Sequence, residues 1–332
     1  MSKILSITIP SYNVEKYIDK CVQSMLVDSI LEDIEILIVN DGSKDSTPQI
    51  AQGYVDKYPQ TVRLINKENG GHGSTINAGI REATGKYFKV VDGDDWLNTE
   101  KLEQFVALLK ERDEDVIASH FLCVQDETYE VLSERKVASN RYKYGKTCLM
   151  DEWEVEEVIK MHSLTIRTSI LKENNITIDE NCFYVDCEYV AYPMPFVKTV
   201  YFDDTFIYMY RLGRNGQSMD IKSMQRNRAM HMRVLTSLLD FYEKLPTMTE
   251  AKKTYIEKVI GQVMENQFQI YISMGDDKAI QKEAREWDTA LRQKYPRIAA
   301  ATEKKSIALL RATNYSILPI GKKVLSIVKG YK

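Results

Sequence analysis

Tyr87-Phe88-Lys89-Val90-Val91-Asp92-Gly93-Asp94-Asp95 puts three carboxylates into four residues at the end of an apolar run. The run reads as a buried strand, so the acids sit where a strand gives way to a loop. Open α/β sheets bind ligands at the carboxyl ends of their strands. Carboxylates this close repel one another unless positive charge stands between them. A hard divalent cation supplies that charge, and Mg²⁺ and Mn²⁺ favour oxygen ligands and commonly hold substrate phosphates as well. The structural alternative is an acidic turn ahead of a helix beginning near Thr99.

Working outward towards the N-terminus, Ile4 to Pro10 reads as a first strand with the loop Ser11-Tyr12-Asn13 at its end, then a helix with Tyr17, Cys21, Val22, Met25 and Leu26 on one face. Glu35 to Val39 is a second strand ending in Asn40-Asp41-Gly42-Ser43, and Asp45-Ser46-Thr47-Pro48 opens a second helix, with a cap followed by proline in the first turn. Val62 to Ile65 is a third strand, running into the glycine-rich loop Asn69-Gly70-Gly71-His72-Gly73-Ser74 and a helix from Thr75 to Ala83. Short, continuously apolar strands alternating with helices predict a parallel sheet covered on both faces. Small or acidic groups at every strand end predict a nucleotide-binding rim assembled from several loops.

These pieces resemble the family 2 glycosyltransferases. The residues that carry the resemblance are Ile7 to Asn13, Ile38 to Ser46, Asn69 to Gly79 and Val91 to Asp95, in order and in register, and it covers roughly the first 220 residues. It implies a GT-A fold: a Rossmann-like, mostly parallel sheet with helices on both faces. It also implies inverting transfer of a sugar from a nucleoside diphosphate donor, a UDP-sugar, to a hydroxyl acceptor. On that resemblance Pro10, Ser11, Tyr12, Asp41, Gly71, Asp92 and Gly93 face the nucleotide. Asp94 holds the Mn²⁺ or Mg²⁺ with Asp95 supporting, and Asp92 lies toward the ribose. One departure is Asn40, where many members carry a second aspartate.

Transfer to a hydroxyl needs a base to take its proton. In the family a short acidic motif supplies it, and Val185-Asp186 stands in that place, with Val185 where the familiar form has Glu. Asp186 is the candidate base and Glu188 the fallback; a helix N-terminal acid favoured by the dipole is the structural alternative. The departing diphosphate needs positive charge. Tyr210-Arg211-Leu212-Gly213-Arg214-Asn215-Gly216-Gln217-Ser218 reads as a mobile basic segment after a strand from Val200 to Tyr208, offering Arg211, Arg214 and Gln217 to the diphosphate. His72 in the glycine-rich loop could touch phosphate or ribose and His162 could line the acceptor site, while a lone loop histidine is more often a structural hydrogen-bonding group; no His pair has zinc-ligand spacing.

Composition agrees with an enzyme that buries a sizeable core. The chain has 332 residues, is 44% hydrophobic and 28% charged, and carries a net charge of −3, which disfavours non-specific nucleic-acid binding. Five scattered cysteines without a C-x-x-C pair read as reduced thiols. Without a signal peptide or an apolar run of membrane-spanning length, a cytoplasmic location is expected, at the inner face of the membrane if the tail binds there.

The predicted organisation is a catalytic domain over 1–220, with a nucleotide-binding half (1–98) and an acceptor-binding half (99–220), and a helical region over 221–332. Within the second half, Asp115 to Leu122 reads as a strand, 123–150 as weakly alternating strands, Trp153 to Met161 as a helix and Ser163 to Ile166 as extended. Ile317, Ile320, Val324, Ile327, Val328 and Tyr331 share one helical face with lysines mostly on the others, a pattern suited to an anionic membrane surface and a lipid-linked glycan acceptor. Two other classes remain: a non-catalytic nucleotide-sugar or glycan-binding module, and a sugar nucleotidyltransferase. The second would want a glycine-rich, basic loop after the first strand, which Ser11-Tyr12-Asn13-Val14-Glu15 lacks. A dinucleotide-binding dehydrogenase is disfavoured because no G-x-G-x-x-G follows the first strand. A processive polymer synthase is disfavoured by the lack of spans and of a Q-x-x-R-W sequence.

Overall fold

The computed structural model describes residues 3–137, 144–213, 221–245, 247–302 and 304–321. The chain divides into two compact units, Met1–Asn215 with Thr249–Lys252, and Gly216–Met248 with Lys253–Lys332.

In the first unit, β1 (Leu5–Ser11), α1 (Ile18–Gln23), β2 (Ile34–Asn40), α2 (Thr47–Lys57), β3 (Val62–Asn66), α3 (Gly71–Glu82) and β4 (Tyr87–Val90) alternate as the sequence predicts. All seven residues of β1 and of β2 are buried, the signature of strands covered on both faces. Leu5, Ile7 and Ile9 pack with Cys21 and Val22 of α1 and Ala51 of α2. On the opposite face, Thr8 lies against α3 at Gly79, where any Cβ would strike the threonine side chain.

The remaining elements of this unit are β5 (Trp96–Leu97), α4 (Thr99–Glu111), β6 (Val116–Gln125), β7 (Val131–Arg135), β8 (Thr147–Leu149), β9 (Leu164–Arg167), α5 (Thr168–Glu173), α6 (Asp186–Ala191) and β10 (Thr199–Leu212). One sheet runs in the order β3-β2-β1-β4-β9-β6-β10-β5, with β7 on β6 and β8 on β10. The pairs β1–β2, β2–β3, β1–β4 and β6–β10 are parallel, and β9 is antiparallel to both β4 and β6. The ends of β1 to β4, β6 and β10 therefore emerge at one rim, and the residues just before β9 reach the same rim.

Three details differ from the sequence reading. Trp153 to Met161 is irregular rather than helical, bracketed by single 3₁₀ turns at Met150–Glu152 and Met161–Ser163. Its helix-like apolar spacing is instead satisfied by tertiary burial: Trp153, Val155, Val158 and Ile159 are buried, and Trp153 sits edge-on to Phe202 at 5.4 Å. The helix after β3 starts at Gly71, so the glycines form its first turn rather than a loop ahead of Thr75. Strand β10 runs on to Leu212 and takes Tyr210 and Arg211 into the sheet.

The second unit holds α7 (Ile221–Arg226), α8 (Arg228–Lys244), α9 (Glu250–Ser273, counted with the first unit up to Lys252), α10 (Lys278–Lys294), α11 (Pro296–Ala300) and α12 (Lys305–Ala312). Its core contains a buried ionic knot: Asp288 on α10 accepts from Arg311 Nη2 (2.8 Å), Arg292 Nε (2.9 Å) and Tyr315 Oη (2.5 Å). Lys322, Lys323, Val324, Ile327, Val328, Lys329 and Tyr331 of the expected basic tail lie outside the described residues. No helix among the described residues is long and apolar enough to cross a membrane.

Candidate active site

The acid turn is built by close backbone approach. Gly93 N donates to Pro10 O (3.1 Å), and a Cβ at Gly93 would lie 2.9 Å from that oxygen, so only glycine lets β4 end this close to β1. Asp95 N donates to Asp92 O (2.9 Å) and closes the turn. The Asp95 side chain points inward, 2% exposed: Tyr208 Oη donates to its Oδ2 (2.6 Å) and Arg211 N to its Oδ1 (2.7 Å). Burial first, then the neighbouring Asp94 and Asp92 carboxylates, push the Asp95 pKa well above the ordinary aspartate value. Asp92 and Asp94 are partly exposed at the rim.

Arg211 corrects the sequence reading. It is not a mobile loop cation but a residue of β10, 2% exposed. Its Nε donates to Asp94 O (2.6 Å), its Nη1 pairs with Asp126 Oδ1 (2.9 Å), and its guanidinium lies 4.7 Å from the Tyr17 ring and 4.8 Å from that of Trp96. The arginine holds the acid turn from behind, with donors directed at protein oxygens. The sheet extended past Tyr208 because Tyr210 and Arg211 pair in register with Cys123 and Val124 of β6. Arg214 and Gln217 lie outside the described residues.

Asp41 is likewise turned inward, 2% exposed. Its Oδ1 accepts from Gly70 N (2.9 Å) and Lys67 Nζ (2.8 Å), and its Oδ2 from Gly71 N (2.8 Å), so it caps the N-terminus of α3. Asp41, which the sequence reading turns toward the nucleotide, also holds the glycine turn, as an anion does at a helix start. Pro10 and Ser11 are buried at the end of β1, Gly71 has a φ of +80° in the turn, and Tyr12 stands 50% exposed beside them.

The glycine turn also docks a second loop. Asn181 N donates to Gly70 O (2.5 Å), and Asn77 Nδ2 donates to Ile178 O (2.8 Å) while its Oδ1 accepts from Ile178 N (2.9 Å). A Cβ at Gly73 would collide with Asp179 O. The docked loop feeds α6, whose first residue is Asp186. Burial raises the Asp186 pKa above the usual carboxylate value, and the nearby His72 imidazole opposes that rise. Glu188, the fallback base, is 0% exposed and accepts from Asp179 N (2.8 Å), which makes it a brace for the loop.

Two histidines join the site. His72 Nε2 lies 2.8 Å from Asp92 Oδ1. Burial works against its charged form, but Asp92, with Asp186 and Asp94 beyond, prevails and raises its pKa. His162, from the 3₁₀ turn before β9, brings a ring nitrogen into a group with Asp92 and Asp95 whose ligand atoms all lie within 4.8 Å of one another. Its ring stacks on Phe121 at 4.9 Å and lies 4.4 Å from that of Tyr210. Burial pulls its pKa down to about 4, so it stands neutral near pH 7, and its Nδ1 is buried without a hydrogen-bond partner among the described residues. Oxygen and imidazole donors beside crowded carboxylates suit a divalent cation such as Mn²⁺. The sequence reading set His162 toward the acceptor rather than beside the acids, because it is 67 residues from Asp95; only the β4–β9–β6 pairing brings it there.

Residues 6–173 match the family described as glycosyl transferase family 2, half of the chain, and the chain belongs to that family. It is 37% identical over 121 residues to the uncharacterized glycosyltransferase EpsJ of Bacillus subtilis, covering 36% of this chain and 35% of that protein. It is 31% identical over 217 residues to an uncharacterized glycosyltransferase of Rickettsia prowazekii, covering 64% of each. The matched stretches thus span between about a third and two thirds of these relatives. A match to the minor teichoic acid biosynthesis protein GgaB of B. subtilis, 31% identical, covers 53% of this chain and 19% of that protein. Among solved structures, S. aureus TarS 1-349 in complex with UDP superposes with a TM-score of 0.63 at 20% identity, over 99% of this chain and 93% of that one. The mannosyltransferase PcManGT from Pyrobaculum calidifontis, in complex with GDP-Man and Mn²⁺, gives a TM-score of 0.50 at 14% identity, over 98% and 88%. The fold is GT-A, as the sequence reading expects.

Proposed function

We propose that this protein is an inverting, metal-dependent glycosyltransferase that moves a sugar from a nucleoside diphosphate donor, a UDP-sugar, to a hydroxyl of a cell-surface glycan or its lipid-linked precursor. The observation that carries the reading is the meeting of two acidic groups at one rim. They come from distant segments: His72 Nε2 in the first turn of α3 lies 2.8 Å from Asp92 Oδ1, and the loop leading to Asp186 docks on the same turn through Asn181 N and Gly70 O (2.5 Å). The neighbours' ligands support the donor class, and GgaB's teichoic acid role supports the acceptor class.

Asp92, Asp94, Asp95 and His162 are the residues that would hold the cation, which when bound neutralises the diphosphate and its developing charge. Tyr12 offers an exposed ring to the base. Asp41 acts indirectly by holding the α3 turn. Asp186 takes the acceptor hydroxyl proton, and burial keeps it basic enough to do so. The protein acts in the cytoplasm, where nucleotide sugars are made.

The test is diphosphate release from a panel of nucleotide sugars, with and without a glycan acceptor. Turnover is expected with one UDP-sugar in Mn²⁺ or Mg²⁺, to vanish in excess chelator, to return on adding the metal, and to be lost in Asp94→Ala. Full activity in chelator would end the metal reading. Tight donor binding without release by the parent would instead make the chain a binding module.

A further inference from the structure

Lys89 is the least expected residue in the sheet. It lies mid-strand in β4, 0% exposed, and among the described residues it has no ion-pair partner. An ammonium withdrawn from water without a carboxylate is costly, and a buried position in a strand ordinarily goes to an apolar side chain. Its Nζ donates to two backbone carbonyls, His162 O (2.8 Å) and Leu164 O (3.4 Å).

The sheet topology explains that choice of partners. Strands β4 and β9 pair only at Tyr87↔Arg167 and Phe88↔Ile166. Beyond Phe88 the two part, while β9 stays on β6 through Thr165 and Leu164. Where the β4–β9 pairing ends, the lysine amino group bonds to carbonyls of the His162–Leu164 stretch. The strands diverge just where the chain must deliver His162 to the rim beside Asp92 and Asp95. An apolar residue would leave the His162 carbonyl without this donor.

We propose that Lys89 is a positioning residue: by holding the carbonyls of His162 and Leu164 it fixes the His162 imidazole beside the acid turn. This rests on the reading of that turn as the cation and diphosphate site. Groups that orient a metal ligand from behind are typically worth 10- to 100-fold in metal affinity. Lys89 acts through His162, so the two residues form one unit whose effects do not add.

The test uses the full chain and has two independent readouts. In metal-free protein labelled at histidine, the His162 imidazole resonances should shift in Lys89→Met while those of His231 stay in place. In direct titration with Mn²⁺, Lys89→Met should bind at least 10-fold more weakly than the parent, and His162→Ala should lose about as much. The double variant should be no weaker than His162→Ala alone. Unmoved His162 resonances, or a double variant whose loss is the product of the single losses, would overturn the proposal. Lys89→Gln, whose shorter amide falls short of the His162 carbonyl, serves if the methionine variant does not fold, with the same His162 shift expected. A parent that neither binds Mn²⁺ nor turns over a nucleotide sugar fails the functional reading, and the resonance comparison still decides the positioning role.

Discussion

Asp186 is where chemistry and electrostatics converge. Burial holds its pKa above the ordinary aspartate value, and a base works only when ionised. The transfer rate should therefore fall as pH drops through that raised pKa, at a higher pH than an exposed aspartate would give. Asp186→Asn keeps the shape and removes the basicity: the rate should drop by roughly 10²-fold or more, with donor affinity almost unchanged. Single-turnover kinetics beside donor titration separates the two quantities. A parental rate in Asp186→Asn together with a dead Glu188→Gln would transfer the role to Glu188, although that residue is already braced against Asp179 N.

The element that organises the site is the first turn of α3. Its glycines bring the 178–182 backbone against the helix, and through it set the start of α6. Gly73→Ala places a methyl group where Asp179 O now sits, so the loop must retreat and carry Asp186 with it. Misplacement of a reacting group by about 1 Å can cost ~10²-fold in rate. The expected outcome is a fall in kcat of that order with a smaller change in donor affinity, measured by steady-state kinetics and by UDP titration. Parental kcat in Gly73→Ala would show that the loop yields without moving the base.

For the whole molecule, folding stability should depend on pH through buried histidines. Burial lowers the His231 pKa to about 4, while its unfolded value is about 6.5. The unfolded chain therefore takes up the proton first. The stability contribution is complete above the unfolded pKa and is lost as pH falls toward the folded one, by roughly 3 kcal/mol in all. His120 and His162 shift the same way and His72 the opposite way. Melting temperature measured from pH 7.5 down to 4.5 should fall, and more shallowly in His231→Gln. An unchanged slope in that variant would remove His231 as a contributor.

The order of β1 to β4 with α1 to α4 was legible in sequence because those strands are short apolar runs and the helices between them repeat apolar residues at helical spacing, whereas the two-residue β5 left no such mark. The acid turn and Asp186 were legible because acids at strand and helix ends are local features. Other outcomes needed the third dimension. Arg211 looked like a loop cation because glycines follow it, but sheet register with Cys123 and Val124 drew it into β10. For Asp41, nothing local shows that the N–H groups of Gly70 and Gly71 will reach its oxygens. His162 had no signal of its own, since its place beside Asp92 and Asp95 follows from β9 running antiparallel between β4 and β6. Periodicity and end chemistry are properties of neighbouring residues, so the sequence by itself determined the elements and the kinds of groups at their ends. Which carboxylates face the rim and which brace it depends on partners far along the chain, and only the packed sheet decided that.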